Sequence, residues 1–257
     1  MTTSLLNSLL RALLRWGAAL VFCLPLRHRS HFWVRACGML FPLLLLAQLL
    51  DPLAQSTTLW QQQLLLLVLY VSFFALLGGM IYLCTDINKK GAMYCAVWSL
   101  LIAQCAYEGW CFLELYFSRH GHPLNMASPW AVLVQLLSGV VFFAAVYILL
   151  ARQLPYKGEY HIGPRQLFSA FFIGILFMVQ AAVLDNFRAE QFPRSVIATI
   201  LIGQFYFITL LYFQSELFKK SAMEKEMSEL NLLYERCLLY TSPSPRDAHE
   251  SRMPSSA

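Results

Sequence analysis

The chain has 257 residues, of which 58% are hydrophobic and only 13% are charged, with a formal net charge of +5. A soluble domain carries about 25% charged residues, so this composition excludes an ordinary soluble protein and predicts an integral membrane protein. The Lys and Arg residues lie between apolar blocks, where they orient membrane spans, so we expect membrane lipid and not nucleic acid as a partner.

The first apolar segment, 5–26, has two interpretations. Arg11 and Arg15 interrupt it, and their spacing of four residues places them on one face of a helix. The segment either crosses the bilayer with its arginines snorkelling or lies in the interface as an amphipathic helix. No small-residue cleavage site follows it, so we do not interpret it as a signal peptide.

Six further apolar blocks are long enough to cross a membrane. Each is close to the ~20 residues that span a ~30 Å hydrocarbon core, where helices satisfy every backbone N–H internally. The predicted fold class is therefore an all-α integral membrane protein with six to seven transmembrane helices. The blocks are 32–50, 62–83, 92–117, 129–151, 166–185 and 195–218.

The distribution of Lys and Arg between these blocks predicts the orientation. Alternate connections, together with the segment after Phe218, hold most of the positive charge, and the other connections hold little. Positively charged connections face the cytoplasm. We therefore expect a multi-pass protein with a cytoplasmic C-terminus. The positive connections are 27–35, 86–90 and 152–165.

The last apolar block is predicted to continue outside the membrane as a helix, because 213–236 contains no Gly or Pro and is rich in helix formers. Met223, Met227, Leu230 and Tyr234 step by four, three and four residues, which is a heptad-like seam. The seam belongs either to an amphipathic helix resting on the membrane or to a parallel coiled coil between two subunits. We favour the coiled coil, and hence a homodimer, although a seam this short does not hold a dimer alone.

The final residues, 237–257, depart from this pattern. Pro243, Pro245 and Pro254 are incompatible with a helix interior. The strings CLLYTSPSPRD and SRMPSSA resemble a translated sequencing adapter on either side of a variable index. We therefore predict a non-native tail and a native protein that continues past Arg236. The predicted division is a transmembrane sensor domain at 1–218, a truncated signalling helix at 219–236 and the tail at 237–257.

Three stretches carry a family resemblance: FCLPLRHRSHFWVR, LPYKGEYHIGPRQL and EKEMSELNLLYER. With them, 1–236 resembles the membrane sensor half of a bacterial (Firmicute-type) histidine kinase of the GHKL class. The resemblance implies a two-component sensor in the bacterial plasma membrane. It also implies that the domains missing from this fragment carry the phosphorylated His, bind ATP and Mg, and act on a response regulator. No motif of those domains is present, so we expect no catalytic residue, metal or cofactor in this fragment.

Two other functions stay open, namely a small multi-span transporter or channel subunit and a non-enzymatic membrane scaffold. Against a transporter, the sequence shows no paired halves, no matching Gly- or Pro-broken helices and few midplane charges. The sequence that follows Arg236 distinguishes these functions, because a His box favours the kinase and an early stop favours the others.

The candidate sensing residues are Glu108, Trp110, Glu114 and Asp185, because ionisable groups inside membrane spans are expensive to bury and usually functional. They would form a polar spot in a ligand- or proton-sensing cavity. The alternative, which we favour for the acids, is structural. Glu108 and Glu114 would be neutral or hydrogen-bonded between helices, and Asp185 would meet water at a helix end.

Other polar residues have simpler interpretations. Arg27, Arg29 and Arg35 are predicted to anchor the inner face to anionic lipid. His120 and His122 are more consistent with a solvated outer loop than with a metal site. The seven cysteines form no C-x-x-C pattern, and most lie in or beside apolar blocks, so we expect neither a disulfide framework nor a zinc site.

Overall fold

The structure, a computed structural model, describes residues 2–55, 59–119, 129–153, 162–186 and 194–241. These residues form α-helices and contain no β-strand, so the fold is all-α as predicted. The helices are α1 (Thr2–Cys23), α2 (Phe32–Gln55), α3 (Leu59–Cys84), α4 (Lys89–Arg119), α5 (Pro129–Val146), α6 (Pro164–Asn186) and α7 (Arg194–Thr241).

Four helices of the described chain are long and apolar enough to cross a membrane. They are α2, α3, α4 and α5, and α5 continues through a π-helical turn at Tyr147–Ala151. Large apolar side chains such as Val34, Phe41 and Phe168 are exposed on the helix surfaces. Exposed apolar surface on this scale is typical of a membrane- or protein-contacting face, in agreement with a membrane location. The four segments are Phe32–Leu49, Leu67–Cys84, Lys89–Glu114 and Trp130–Ala151.

Helix α1 is an interior helix that packs against α2, α3, α4 and α5. Its Phe22 ring is fully buried, 6.0 Å from the Trp98 ring of α4. Trp16 Nε1 donates a hydrogen bond to the Ala36 carbonyl of α2 at 2.7 Å. The sequence left open a snorkelling or an interfacial helix, both of which direct the arginines outward. The structure shows a third arrangement, because Arg15 is buried inside the bundle.

The connection between α1 and α2 is joined to the end of α3 by backbone hydrogen bonds. Arg29 N donates to Cys84 O at 3.0 Å, and Asp86 N donates to Arg27 O at 2.9 Å. His31 has a φ of 58°, in the left-handed region that reverses chain direction just before α2 begins. The α1–α2 and α3–α4 connections therefore lie at the same end of the helix bundle.

The start of α6 and one part of α7 lie at that same end. Tyr94, near the start of α4, is beside Gln166 of α6 and Ser215 of α7. Gln214 Nε2 donates to the Gln166 carbonyl at 3.3 Å. By its contacts the chain divides just after these residues into two compact units, Met1–Ser215 and Glu216–Ala257. The described part of the second unit is the remainder of α7.

We expect Gly17→Leu to lower the free energy of unfolding by about 1–3 kcal/mol, because overpacking separates packed helices. A Cβ added at Gly17 of α1 would lie 3.0 Å from the Phe143 ring of α5. Gly79→Leu in α3 is the matched control, since a Cβ there meets no atom within 4 Å and leucine is the better helix former. Unfolding by SDS titration in mixed micelles compares the two variants. Equal stabilities would contradict the close α1–α5 packing.

Candidate functional site

Two arginines of α1 point into a polar cluster between α1, α3 and α4. Arg15 is only 9% exposed, and its guanidinium carbon lies 3.8 Å from the centroid of the Phe73 ring of α3. Arg11 Nη2 donates to the Tyr107 hydroxyl of α4 at 2.5 Å, and the Arg11 guanidinium lies 4.5 Å from the centroid of that ring. Cation–π contacts of this kind are strongest where water is excluded. Both positive charges are thus held by aromatic side chains inside the bundle.

Helix α4 contributes the acidic part of the cluster. Glu108 is 7% exposed, and its Oε1 accepts a hydrogen bond from Gln104 Nε2 at 2.9 Å. The two residues are one helical turn apart, so they share a face of α4. Gln104 borders the two arginines, and Glu108 is joined to the cluster through the Gln104 amide.

A small cavity lies inside the cluster, with a volume of about 20 Å³. Its walls include the side chains of Arg11, Arg15 and Gln104. A polar cavity needs roughly 10–15 Å³ to hold one water molecule, so this one accommodates a water but not an organic ligand. The cluster contains groups that can exchange a proton or change their hydrogen bonds. Because its side chains come from α1, α3 and α4, such a change would affect the contacts between these three helices.

A second and larger cavity lies on another side of α4. Its volume is about 230 Å³, and its walls come from α1, α4, α5 and α7. Trp110 and Gln135 line it, and both side chains are 3% exposed. Most of the remaining lining is apolar, including Leu14, Phe142 and Phe205. This cavity is large enough for an organic molecule.

The structure distributes the predicted sensing residues over different environments. Glu108 belongs to the polar cluster, whereas Trp110 lines the larger cavity. They are two positions apart, which is about 200° around a helix, so they face different sides of α4. Glu114 is half-buried. The side chain of Asp185 lies outside the described residues, as do His120 and His122.

The predicted lipid-anchoring arginines have different surroundings. Arg35 Nη1 donates to the Leu83 carbonyl at 2.8 Å, and Arg29 Nη2 lies 3.5 Å from Asp86 Oδ1. Arg27 is exposed. Two of the three therefore bind protein groups at the end of α3, and lipid anchoring remains a prediction for all three.

The predicted dimer seam lies on α7 within the second unit. All four of its residues are exposed, although they are large and apolar. An apolar stripe left in this state is available to a partner or to a membrane surface. The seam residues are Met223, Met227, Leu230 and Tyr234.

Sequence reasoning missed four residues of these sites, Arg11, Arg15, Gln104 and Gln135. It noted the shared helical face of the two arginines but treated that face as an outward one. A usable signal was present, because two charges at four-residue spacing inside an apolar segment favour a buried functional cluster. Gln104 and Glu108 have the same spacing within α4.

The described chain offers no group of three or more His, Cys, Asp or Glu side chains that are placed to hold a metal ion. None of the described cysteines forms a disulfide bond. Comparison with family models, curated proteins and solved structures found no match.

Proposed function

We propose that this chain is the membrane-embedded sensor module of a two-component histidine kinase. The observation that carries the proposal is the continuity of α7, which runs from Arg194 to Thr241 as one helix. Its first part is packed in the bundle, where Leu211 is fully buried, and its last part is exposed. A helix of this kind can carry a change of packing from the membrane to a following domain. The phosphoacceptor and ATP-binding domains, with ATP, Mg and the response regulator, would belong to a longer protein.

We infer that all seven helices cross the bacterial plasma membrane and that the C-terminus is cytoplasmic. The interior position of α1 supports its inclusion, because a helix packed against four others is part of the bundle. The positively charged 27–35 and 86–90 connections lie at one end, together with Ser215 of α7. Positive charge gathered at the end where α7 leaves the bundle favours the cytoplasm for that end.

The proposed signal acts by changing the relative populations of two packing states, since a ligand shifts an equilibrium only through different affinities for its states. The polar cluster is a suitable two-state element. A proton on Glu108 or a rearranged hydrogen bond with Gln104 changes interactions between α1, α3 and α4. Because Gly174 of α6 lies close to Val97 of α4, and Phe177 of α6 contacts Phe207 of α7, such a change has a route through packed side chains to α7.

The proposed output is a parallel homodimer of the exposed part of α7. Its seam residues Met223, Met227, Leu230 and Tyr234 stay exposed in a single chain, and a second copy would bury them. From Glu216 to Arg236, the last residue before the predicted tail, the helix is about 32 Å long at 1.5 Å per residue, enough for a short coiled coil. Such a segment is marginal alone, so the membrane bundle and the following domains would add to its stability.

Cysteine cross-linking in membranes tests the dimer. We expect Leu230→Cys, in a Cys237→Ser background that removes the exposed thiol nearby, to form a disulfide-linked dimer on mild oxidation. Seam positions face each other across a parallel coiled coil. Ser228→Cys, also exposed but off the seam, is the matched control and is expected to cross-link at least about fivefold more slowly. Equal rates at both positions, or none at either, would contradict the proposed dimer.

A further inference from the structure

We propose that the 230 Å³ cavity between α4 and α5 binds a small, uncharged and mainly apolar molecule that carries one hydroxyl or amide group. This inference deepens the proposed function by giving the sensor a ligand class, and it rests on that function for its signalling meaning. Binding itself is a separate property that is measured without any signalling output.

The size and lining of the cavity select the apolar part of the ligand. An engineered apolar cavity of about 150 Å³ binds benzene, so 230 Å³ holds a substituted ring or a short branched chain. Leu14, Leu113, Phe142 and Phe205 present apolar surface to it. No Asp, Glu, Lys or Arg side chain lines the described walls, so a charged ligand would lose its hydration without compensation.

Two buried polar atoms select the hydrogen-bonding part of the ligand. Gln135 Oε1 is an acceptor and Trp110 Nε1 is a donor, and neither has a hydrogen-bond partner among the described residues. Both side chains are 3% exposed and line the same cavity. Leaving such atoms unbonded in an apolar surrounding is unfavourable. A hydroxyl or amide group can donate to Gln135 and can also accept from Trp110, which is the complementary pattern.

Another cavity of the same bundle shows why these atoms matter. A groove of about 310 Å³ between α3, α4 and α6 is larger, and its accessible surface is entirely apolar. Such a surface does not distinguish a ligand from a lipid chain. The smaller cavity differs because two unpartnered polar atoms line it, and because its wall includes Phe205 of α7. A bound molecule there contacts both α4 and the helix that leaves the bundle.

The test is binding of 4-fluorobenzyl alcohol to the full chain in lipid nanodiscs, followed by fluorine NMR. We expect saturable binding above the non-saturable partitioning into empty nanodiscs. The matched probe 4-fluorotoluene lacks the hydroxyl group and should bind about five- to tenfold more weakly, the effect typical of one buried hydrogen bond. Partitioning no greater than that of empty nanodiscs, or equal binding of the two probes, would overturn the inference.

Two variants locate the binding site. Gln135→Leu removes the acceptor at nearly constant volume and should weaken the alcohol about five- to tenfold while leaving 4-fluorotoluene unchanged. Gly109→Leu should exclude both probes, because Gly109 lines the cavity and a Cβ there meets no atom within 4 Å. Gln48→Leu, at an exposed position of α2, is the control for a Gln-to-Leu change. Binding that neither cavity variant alters would place the ligand elsewhere and overturn the assignment.

The outcome is separable from that of the proposed function. If the probes fail to bind while Leu230→Cys still cross-links, the ligand class is wrong and the dimeric sensor stands. If the alcohol binds and cross-linking fails, the cavity is a ligand site in a protein that does not dimerise through α7.

Discussion

Glu108→Leu is expected to lower the free energy of unfolding by about 1–3 kcal/mol, the cost typical of leaving one buried polar group without its hydrogen-bond partner. The change removes the acceptor for Gln104 Nε2. Gln104 in turn borders two arginines of α1, one of them buried and the other partly buried. SDS-titrated unfolding of the purified protein in mixed micelles measures the effect.

Two further variants control for the position and the chemistry of Glu108. Glu114→Leu alters a half-buried acid of the same helix, and we expect it to change stability by less than about 1 kcal/mol. Glu108→Gln keeps an oxygen that accepts from Gln104 but removes the ionisable carboxyl group, so it separates the effect of ionisation from that of the hydrogen bond. A Glu108→Leu variant no less stable than Glu114→Leu would refute the view that the cluster organises α1, α3 and α4.

Ser221→Pro is expected to sever the exposed part of α7 from the bundle. Proline removes one backbone hydrogen bond and clashes with the preceding turn, at a cost of about 3 kcal/mol in a helix interior. The residues beyond it would form an isolated short helix, which is marginal in water. We expect amide hydrogen exchange in 222–236 to accelerate at least about tenfold, because 1.4 kcal/mol already corresponds to that factor.

Ser221→Ala is the matched control, since alanine is a better helix former than serine and Ser221 is exposed. Its exchange rates should equal or fall below those of the parent chain. Helix α1 should exchange at the same rate in all three proteins, because the change lies in the other compact unit. Unchanged exchange in 222–236 of the proline variant would show that this segment is not held by helical continuity through residue 221.

Helix positions were well predicted because hydropathy marks the apolar interior of each helix. The predicted block 32–50 corresponds to Phe32–Gln55, and 92–117 corresponds to Lys89–Arg119. The observed helices extend into polar flanks, since helix formation does not stop where the hydrocarbon does. Helix α7 also continues past Arg236 to Thr241, although the sequence pattern changes at Cys237.

The functional sites were predicted only in part because they form between helices far apart in sequence. Glu108 and Trp110 are predicted sensing residues, and the structure shows that both are buried. The spacing of α4 alone does not reveal that Gln104, the partner of Glu108, borders Arg11 and Arg15, or that Trp110 lines a cavity with α5. A glutamine such as Gln135 carries little signal on its own. Its importance arises from burial beside a second unpartnered polar atom, which is a property of the packed bundle.

The most direct test of the central claim, a sensor module whose exit helix leads into a kinase, is long-read sequencing of the genomic DNA across codon 236. We predict an open frame that continues after Arg236 into a helix with a phosphorylatable histidine and then an ATP-binding domain. A genome that encodes Cys237 to Ala257 followed by a stop codon would contradict the claim and leave a stand-alone membrane protein.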